Sequence, residues 1–127
     1  MYGRTKYGAK KTVVDGIKFD SKLEANRYVE LLWLEKAGEI RNLQRQVPFV
    51  LMEKFNIRGK AIRAIKYYAD FVYEEKPRDL MGAWKNIVDD SKGMELNDFK
   101  MKKKLFLDKF GDKYIFRLST GSGNSDI

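Results

Sequence analysis

The residues best suited to chemistry lie at the end of one predicted strand, in the segment Val88-Asp89-Asp90-Ser91-Lys92-Gly93. Side chains alternate between the faces of a strand, so Asp90 and Lys92 share one face while Asp89 and Ser91 share the other. A carboxylate and an ammonium group about 6–7 Å apart along a strand suit metal-assisted hydrolysis, in which the carboxylate holds a divalent cation and the lysine orients or activates water. The alternative is a strand end with solvated charges.

The chain contains neither cysteine nor histidine, which narrows the chemistry available to it. Disulfides, zinc fingers and nucleophiles activated by histidine are excluded. Any hydrolysis must therefore use carboxylates, lysine, hydroxyl groups and a hard cation such as Mg²⁺, for which Mn²⁺ is a substitute.

Charge and length indicate one basic domain. The 127 residues include 26 Lys and Arg against 18 Asp and Glu, a net charge of +8. A domain this basic favours a polyanionic partner, most often nucleic acid. No apolar segment is long enough to span a bilayer, and the N-terminus lacks the apolar core of a secretory signal, so we expect a cytoplasmic protein without a membrane partner.

Both ends of the chain differ in composition from its centre. Residues 1–11 predict a flexible basic arm, which either solubilises the protein or contacts phosphates. Its four cations are Arg4, Lys6, Lys10 and Lys11. Residues 12–119 predict the folded domain, and the Gly- and Ser-rich residues 120–127 predict a flexible tail.

Turn and periodicity signals predict the elements that position the candidate groups. Asp15-Gly16 between short apolar segments predicts a hairpin over residues 12–19, and the capping box Ser21-x-x-Glu24 opens a helix. Three strands, a second helix and a final strand follow, giving the order α-β-β-β-α-β with a parallel pair at the end. We therefore expect an α/β (α+β) fold with a mixed central sheet flanked by helices.

A second carboxylate, Asp70, lies inside the long strand pattern of residues 61–75. Burying it is costly unless it is paired with a lysine or binds a metal. If its strand neighbours that of Asp90, the two carboxylates face each other across about 5 Å, and a divalent cation removes their repulsion. Lys92 would then orient water or stabilise charge on a phosphate. Strand alternation predicts one shared face for Ile65, Tyr67, Ala69, Phe71 and Tyr73.

The two predicted helices carry further candidates. Glu24 is either the capping-box carboxylate or an acid near the metal, and the two roles are compatible. Two residues outside the helices are expected to be structural: Tyr67 in the core, and Gln46 in a loop or at a strand edge instead of at the substrate. The second helix carries a basic run, either a solvated face or a track for phosphates, of which the net charge of +8 favours the track. That run comprises Lys100, Lys102, Lys103 and Lys104.

Three segments in this order resemble the PD-(D/E)XK nuclease superfamily, and particularly its small phage-encoded endonucleases of the Holliday junction resolvase-like group. They are residues 19–25, 68–72 and 88–93. The resemblance spans roughly residues 12–118 and implies a restriction-endonuclease-like core. Two departures occur: Ala69 replaces the proline that names the superfamily, and Asp90 replaces the commoner glutamate.

The resemblance implies residue roles. Asp70 and Asp90 would be metal ligands together with the carbonyl of Ser91, Lys92 would be the catalytic lysine, and Glu24 would be the helix acid near the metal. The Asp89-Asp90 doublet leaves two candidates for one ligand, and strand parity with Lys92 favours Asp90.

The function implied by the resemblance is a Mg²⁺-dependent DNA endonuclease that hydrolyses phosphodiester bonds in branched or Holliday-junction DNA, in phage replication or recombination. Paired cuts at a junction favour a homodimer, and a phage-encoded protein would act in the host cytoplasm. Two other classes stay open. One is a non-catalytic basic DNA- or RNA-binding module, and the other is a phage structural or assembly protein whose acids pair with lysines.

Overall fold

The computed structural model describes residues 12–127, and the predicted basic arm of Arg4, Lys6, Lys10 and Lys11 lies outside this range. The helices are α1 (Lys22–Lys36) and α2 (Asn97–Phe110). The strands are β1 (Thr12–Val14), β2 (Ile17–Phe19), β3 (Ile40–Met52), β4 (Phe55–Ile57), β5 (Lys60–Ile62), β6 (Ile65–Glu75), β7 (Lys85–Ser91), β8 (Ile115–Thr120) and β9 (Gly123–Asp126).

Five strands form one mixed sheet in the order β3-β6-β7-β8-β9. Only β7 and β8 run parallel, and α2 connects them, because a parallel pair needs a crossover. The other neighbours in this sheet are antiparallel. The expected α+β fold, with its α-β-β-β-α-β order, mixed sheet and N-terminal hairpin, is therefore confirmed.

The N-terminal hairpin leads directly into α1. Asp15 and Gly16 have φ angles of 50° and 76°, which are the positive values of a type I′ turn. Phe19 at the end of β2 is fully buried, which fixes the approach of the chain to the helix. The Ser21 hydroxyl then accepts a hydrogen bond from the backbone N–H of Glu24 at 3.1 Å, so Ser21 is the N-cap.

Each helix covers one of two apolar clusters on the sheet. The α1 cluster includes Phe19, Leu31, Phe71 and Tyr73, and the α2 cluster includes an aromatic group around Phe106. Phe49 packs edge-on against Phe106 with ring centroids 5.0 Å apart. The carboxyl-terminal end of β7 carries its charged residues between these clusters, so both helices contribute to positioning it.

The prediction of a single apolar face on β6 is wrong. Tyr67 and Ala69 pack in the α2 cluster, whereas Phe71 and Tyr73 pack in the α1 cluster. The partner strand changes faces at the same place: Arg45 lies over Phe19 and Tyr28 on the α1 side, and Val47 packs on the α2 side. Gln46, between them, has a φ of 51°. The register is the same on both sides of this point, but Gln46 and Asp70, which would face each other, are not paired. Asp70 thus sits where two strands exchange faces.

Two expected boundaries also change. The long strand pattern of residues 61–75 is divided, because β5 folds back on β4 as a separate hairpin before β6 begins. The predicted flexible tail contains β9, which pairs with β8 from Arg117↔Asp126 to Thr120↔Gly123. Arg117 holds the two together through Asp126 at 2.8 Å and also contacts Glu75 of β6 at 2.6 Å. No helix among residues 12–127 is long and apolar enough to cross a membrane.

Removing β9 should destabilise the domain. A chain ending at Thr120 loses the backbone pairs of β8 and one carboxylate of Arg117, and we expect its free energy of unfolding to fall by about 2 kcal/mol. Urea unfolding measures this. Asp126→Asn is the matched control, because it keeps the strand and should cost less than about 1 kcal/mol. Equal stability of the truncated and full chains would contradict a structural role for β9.

Candidate active site

Three predicted residues, Asp70, Asp90 and Lys92, meet at one end of the sheet. Asp70 lies in the middle of β6, at the position where β6 exchanges faces. Asp90 and Lys92 lie at the end of β7, the neighbouring antiparallel strand. Glu24 approaches them from the first turn of α1. The four side chains expected at the site thus come from three neighbouring elements, and their charges are close enough to influence one another.

Asp90 is almost completely buried, with 1% of its surface exposed. One oxygen, Oδ2, accepts a hydrogen bond from the hydroxyl of Tyr67. The other, Oδ1, lies 2.8 Å from Nζ of Lys92, although the approach lacks hydrogen-bond geometry, so that oxygen has no directed partner among residues 12–127. Asp90 is thus anchored through one oxygen and presents the other beside the lysine.

Asp70 is held by amide groups and not by a cation. Its Oδ2 accepts a hydrogen bond from the backbone N–H of Ser91 at 3.0 Å, and its Oδ1 accepts one from the Gln46 side chain at 3.3 Å. Burial raises the pKa of Asp70 to about 8, and the charges of Asp90 and Glu24 add to the effect. The site therefore carries more negative charge than its own residues neutralise, which is the condition that a bound cation relieves.

Lys92 is the cation nearest to these acids. Burial disfavours its charged form, but Asp90, Asp70 and Glu24 outweigh burial and raise the pKa of Lys92 above its usual range. Its Nζ also lies 4.9 Å from the ring centroid of Phe99, which supports the ammonium from the α2 side. Lys92 therefore stays protonated and can serve as a hydrogen-bond donor to a phosphate or to water.

Glu24 does not act as the capping carboxylate. The Ser21 half of the capping box is present, but Oε2 of Glu24 turns towards Gln46 at 3.4 Å and Arg45 at 3.9 Å. Burial raises the pKa of Glu24, while the positive charge of Arg45 opposes this. Of the two roles open from the sequence, the geometry favours the acid beside the site.

Asp89 has a separate, structural partner on the opposite face. Its Oδ2 accepts hydrogen bonds from Arg27 of α1 at 2.7 Å and from the hydroxyl of Tyr73 at 2.6 Å, and its Oδ1 accepts one from Ser119. Both Asp89 and Arg27 are buried. The doublet is thereby divided: Asp89 ties the sheet to α1, and Asp90 faces Lys92.

Two residues of the site were not among the predicted functional residues. Gln46 donates from one amide nitrogen to both Glu24 and Asp70, and Tyr67 holds Asp90. Burial and the charge of Asp90 raise the pKa of Tyr67, so its hydroxyl remains a donor. Sequence parity placed Tyr67 in the core, where most of the ring does lie, and gave no signal for its hydroxyl.

A cleft of about 370 Å³ opens beside Asp90 and Lys92. Tyr68 lines it and is 53% exposed, and α2 contributes Phe99 and Lys102. The other lysines of the basic run differ: Lys103 pairs with Glu95 at 3.4 Å, while Lys100 and Lys104 are exposed. Of that run, Lys102 is the lysine that reaches the cleft.

The residues present fit a hard divalent cation. Mg²⁺ commonly takes one or two carboxylates from a protein and completes its shell with water and phosphate oxygens. Asp70 and Asp90 supply two carboxylates: the raised pKa of Asp70 indicates that its charge is not neutralised, and the buried Oδ1 of Asp90, although 2.8 Å from the Lys92 ammonium, has no directed hydrogen bond within residues 12–127. Within residues 12–127 no three acidic side chains converge into a complete ligand set.

Comparison with known proteins gives the family. A family model described as "Protein of unknown function (DUF1064)" matches residues 4–120, so the chain belongs to this family. No curated protein matches the chain. Among solved structures, a chain titled "Crystal structure of SSO0001" is similar, with 24% sequence identity and a TM-score of 0.42 over 83% of this chain. The match covers 49% of that chain, so the present chain spans about half of its length.

Replacing Asp70 with asparagine should stabilise the metal-free protein. The folded state raises the pKa of this group from 3.8 to about 8, so wild-type stability falls as the pH rises between those values. Asp70→Asn removes the charge and its destabilising effect. Above pH 8 the free energy of unfolding of the variant should therefore exceed that of the wild type by on the order of 2–4 kcal/mol. Urea unfolding in EDTA at pH 4 and pH 8.5 measures it. An advantage that does not grow with pH would refute the assigned cause.

Replacing Asp89 with asparagine is the matched comparison and should have the opposite effect. The substitution leaves the guanidinium of Arg27 buried without its carboxylate, and we expect a loss of about 3 kcal/mol at neutral pH in the same assay. Stability unchanged from wild type would mean that the Arg27–Asp89 contact is not a structural tie.

Proposed function

We propose that this protein is a Mg²⁺-dependent DNA endonuclease that hydrolyses phosphodiester bonds. The observation that carries the proposal is the meeting of Asp70, Asp90 and Lys92 beside a cleft in a protein of net charge +8. Within that class, branched or Holliday-junction DNA is the substrate we favour, in phage replication or recombination in the host cytoplasm. The similarity of the three motif segments to phage-encoded PD-(D/E)XK nucleases supports this narrower choice.

Asp70 and Asp90 would hold the metal together with the carbonyl of Ser91. A bound Mg²⁺, or Mn²⁺ in its place, supplies a Lewis acid that polarises the scissile phosphate and lowers the pKa of water. The protein itself supplies positioning: Tyr67 and Gln46 orient the two carboxylates before substrate arrives.

Lys92 would act on the phosphate side of the same cleft. Its ammonium is kept charged by Asp90, and it can donate hydrogen bonds to a phosphate oxygen or orient the attacking water. Glu24, whose pKa is raised by burial, lies across Gln46 from Asp70 and can accept a proton from water at the rim of the site. The chemistry thus needs no residue type that this chain lacks.

The cleft wall would guide the DNA backbone. Lys102 faces the cleft and fits a phosphate track. Lys100 and Lys104, one turn apart, are exposed on a different side of α2 and would meet phosphates outside the cleft. Lys103 is engaged by Glu95 and lies over the ring of Phe116, which makes it the weakest member of the predicted set. The predicted arm, if it contacts phosphates, would extend the track.

A junction has two strands to cut, so a homodimer with two equivalent sites is the assembly we propose. Two-fold symmetry of the protein would match the near two-fold symmetry of a four-way junction. The paired sites make the cuts symmetrical without any second kind of subunit.

The ion pair between Asp90 and Lys92 gives the two alternative functions a specific basis. A structural or assembly protein, or a non-catalytic nucleic-acid-binding module, would use such acids only to neutralise lysines. Asp70 argues against this, because its partners are amide groups and its pKa is raised to about 8. An acid kept for charge pairing alone would not be buried beside two other acids.

Cleavage should depend on the metal and on Asp90. We expect the wild type to cleave with Mg²⁺ or Mn²⁺, to stop in EDTA, and to lose at least about 100-fold in rate on Asp90→Ala. A panel of linear duplex, single strand, flap and four-way junction measures activity and substrate preference together. Asp98→Asn is the control, since Asp98 lines the same cleft but is exposed and forms no salt bridge within residues 12–127, and it should cut like wild type. Cleavage by Asp90→Ala at the wild-type rate would reject the proposal.

Substitution of Lys92 and substitution of a carboxylate should have different effects on metal binding. Lys92→Gln should abolish cleavage but retain Mn²⁺ binding, because it removes a neighbouring positive charge and leaves the ligands in place. Asp70→Asn should lose both. Calorimetric titration of Mn²⁺ into each purified variant provides the readout, and loss of Mn²⁺ binding by Lys92→Gln alone would contradict these roles.

A further inference from the structure

The β4–β5 hairpin projects from the main sheet and takes no part in the catalytic arrangement. It is a two-stranded sheet of its own, joined to the ends of β3 and β6. All residues from Glu53 to Ala61 are exposed. Because an isolated two-stranded hairpin gains little stability by itself, its persistence outside the core indicates a use for the surface it presents.

The hairpin is strongly basic. Residues 54–63 contain four cations and no acid, and Glu53 is the single acid immediately before them. None of the four is within salt-bridge distance of an acidic side chain in residues 12–127. We call residues 54–63 the basic ribbon, and its cations are Lys54, Arg58, Lys60 and Arg63.

The turn of the basic ribbon places an arginine at its tip. Arg58 and Gly59 have φ angles of 47° and 77°, the conformation of a type I′ turn. The first position of this turn favours asparagine, aspartate or glycine, and a longer side chain there costs on the order of 1 kcal/mol. The sequence therefore carries a cation at the outermost point of the ribbon in spite of a local conformational cost.

The basic ribbon lies at the same end of the sheet as the catalytic groups. It leaves the sheet at the Met52↔Ile65 pair, where β6 starts, and β6 runs antiparallel to β7, whose far end carries Asp90. Asp70 lies five residue steps along β6 from Ile65, a distance of about 17 Å, or roughly five base-pair steps of DNA.

We infer that the basic ribbon enters the major groove of duplex DNA beside the bond that is cut. This inference rests on the proposed function and adds to it a duplex arm as the required part of the substrate. A two-stranded ribbon fits the roughly 12 Å major groove of B-DNA, whereas the deep, narrow major groove of A-form RNA excludes it. Its cations match the phosphates that line the groove.

The apolar face of the basic ribbon fits the same occupant. Register places Phe55 and Ile57 on one face together with Ile62 and Lys60, and Phe55 and Ile57 are 46% and 43% exposed. In a major groove, such side chains meet thymine methyl groups, while a cation on the same face reaches the phosphates.

The test compares two fourfold neutralised proteins in DNA binding, measured by fluorescence anisotropy in EDTA with Asp90→Ala in each chain so that no cutting occurs. The ribbon variant carries Lys54→Gln, Arg58→Asn, Lys60→Gln and Arg63→Gln. The control variant carries Lys36→Gln, Lys76→Gln, Arg78→Gln and Lys85→Gln, the same charge change at the opposite end of the sheet, where all four residues are exposed.

We expect the ribbon variant to lose at least about tenfold in affinity for a linear duplex at 100 mM salt, and its log–log salt slope to fall by about 3. The control variant should lose less than about threefold. Double-stranded RNA of the same sequence should bind both variants alike. Equal losses in both variants, or an equal loss of RNA binding by the ribbon variant, would overturn the inference, as would unchanged duplex binding.

Two further measurements keep the outcome interpretable. Arg58→Asn alone should keep or raise the thermal stability, because asparagine suits the turn, yet weaken duplex binding; Arg58→Lys should restore most of that binding. The wild type is assayed for cleavage in parallel. If the wild type cuts DNA and the ribbon variant binds DNA normally, only the inference about the basic ribbon is rejected. If the wild type neither binds nor cuts DNA, the proposed endonuclease function itself is rejected.

Discussion

The site depends on the simultaneous exchange of faces by β3 and β6 at Gln46 and Asp70. Before this point each strand packs on one helix, and after it on the other. The residues at the exchange belong to neither apolar cluster, so their side chains meet each other, at 3.3 Å, instead of entering a core. The Asp70 carboxylate can be buried there because the Gln46 side chain and the backbone N–H of Ser91, at the end of β7, are amide partners for it.

The neighbouring strand β7 carries two consecutive buried aspartates, Asp89 and Asp90, whose charges are accommodated in different ways. Asp89 is neutralised by Arg27 and held by two hydroxyls, which locks β7 to α1. With β7 fixed in this way, Asp90 on the opposite face is presented at a defined height beside Lys92. Structural and candidate catalytic carboxylates thus lie next to each other in the chain, and strand alternation alone separates their roles.

The same division explains why the site tolerates an excess of negative charge. The apolar clusters and the Arg27–Asp89 tie stabilise the domain independently of Asp70, whose pKa is raised to about 8 by burial and by its acidic neighbours. An unfavourable electrostatic environment of this kind is typical of functional sites, since binding of a partner can offset the stability that the free protein loses. The basic ribbon shows a smaller example, with Arg58 held at a φ of 47°.

Local patterns were enough to determine the Asp15-Gly16 turn, the Ser21 cap, the element order and the choice of Asp90 over Asp89 as the partner of Lys92, because turns, caps and strand alternation depend on residues close in sequence. The tertiary structure decided what depends on distant contacts. It turned Glu24 away from the cap, brought Gln46 and Tyr67 to the carboxylates, split one predicted strand face between two cores, and ordered β9 on β8. Each of these outcomes is set by a partner from another element, which no short pattern records.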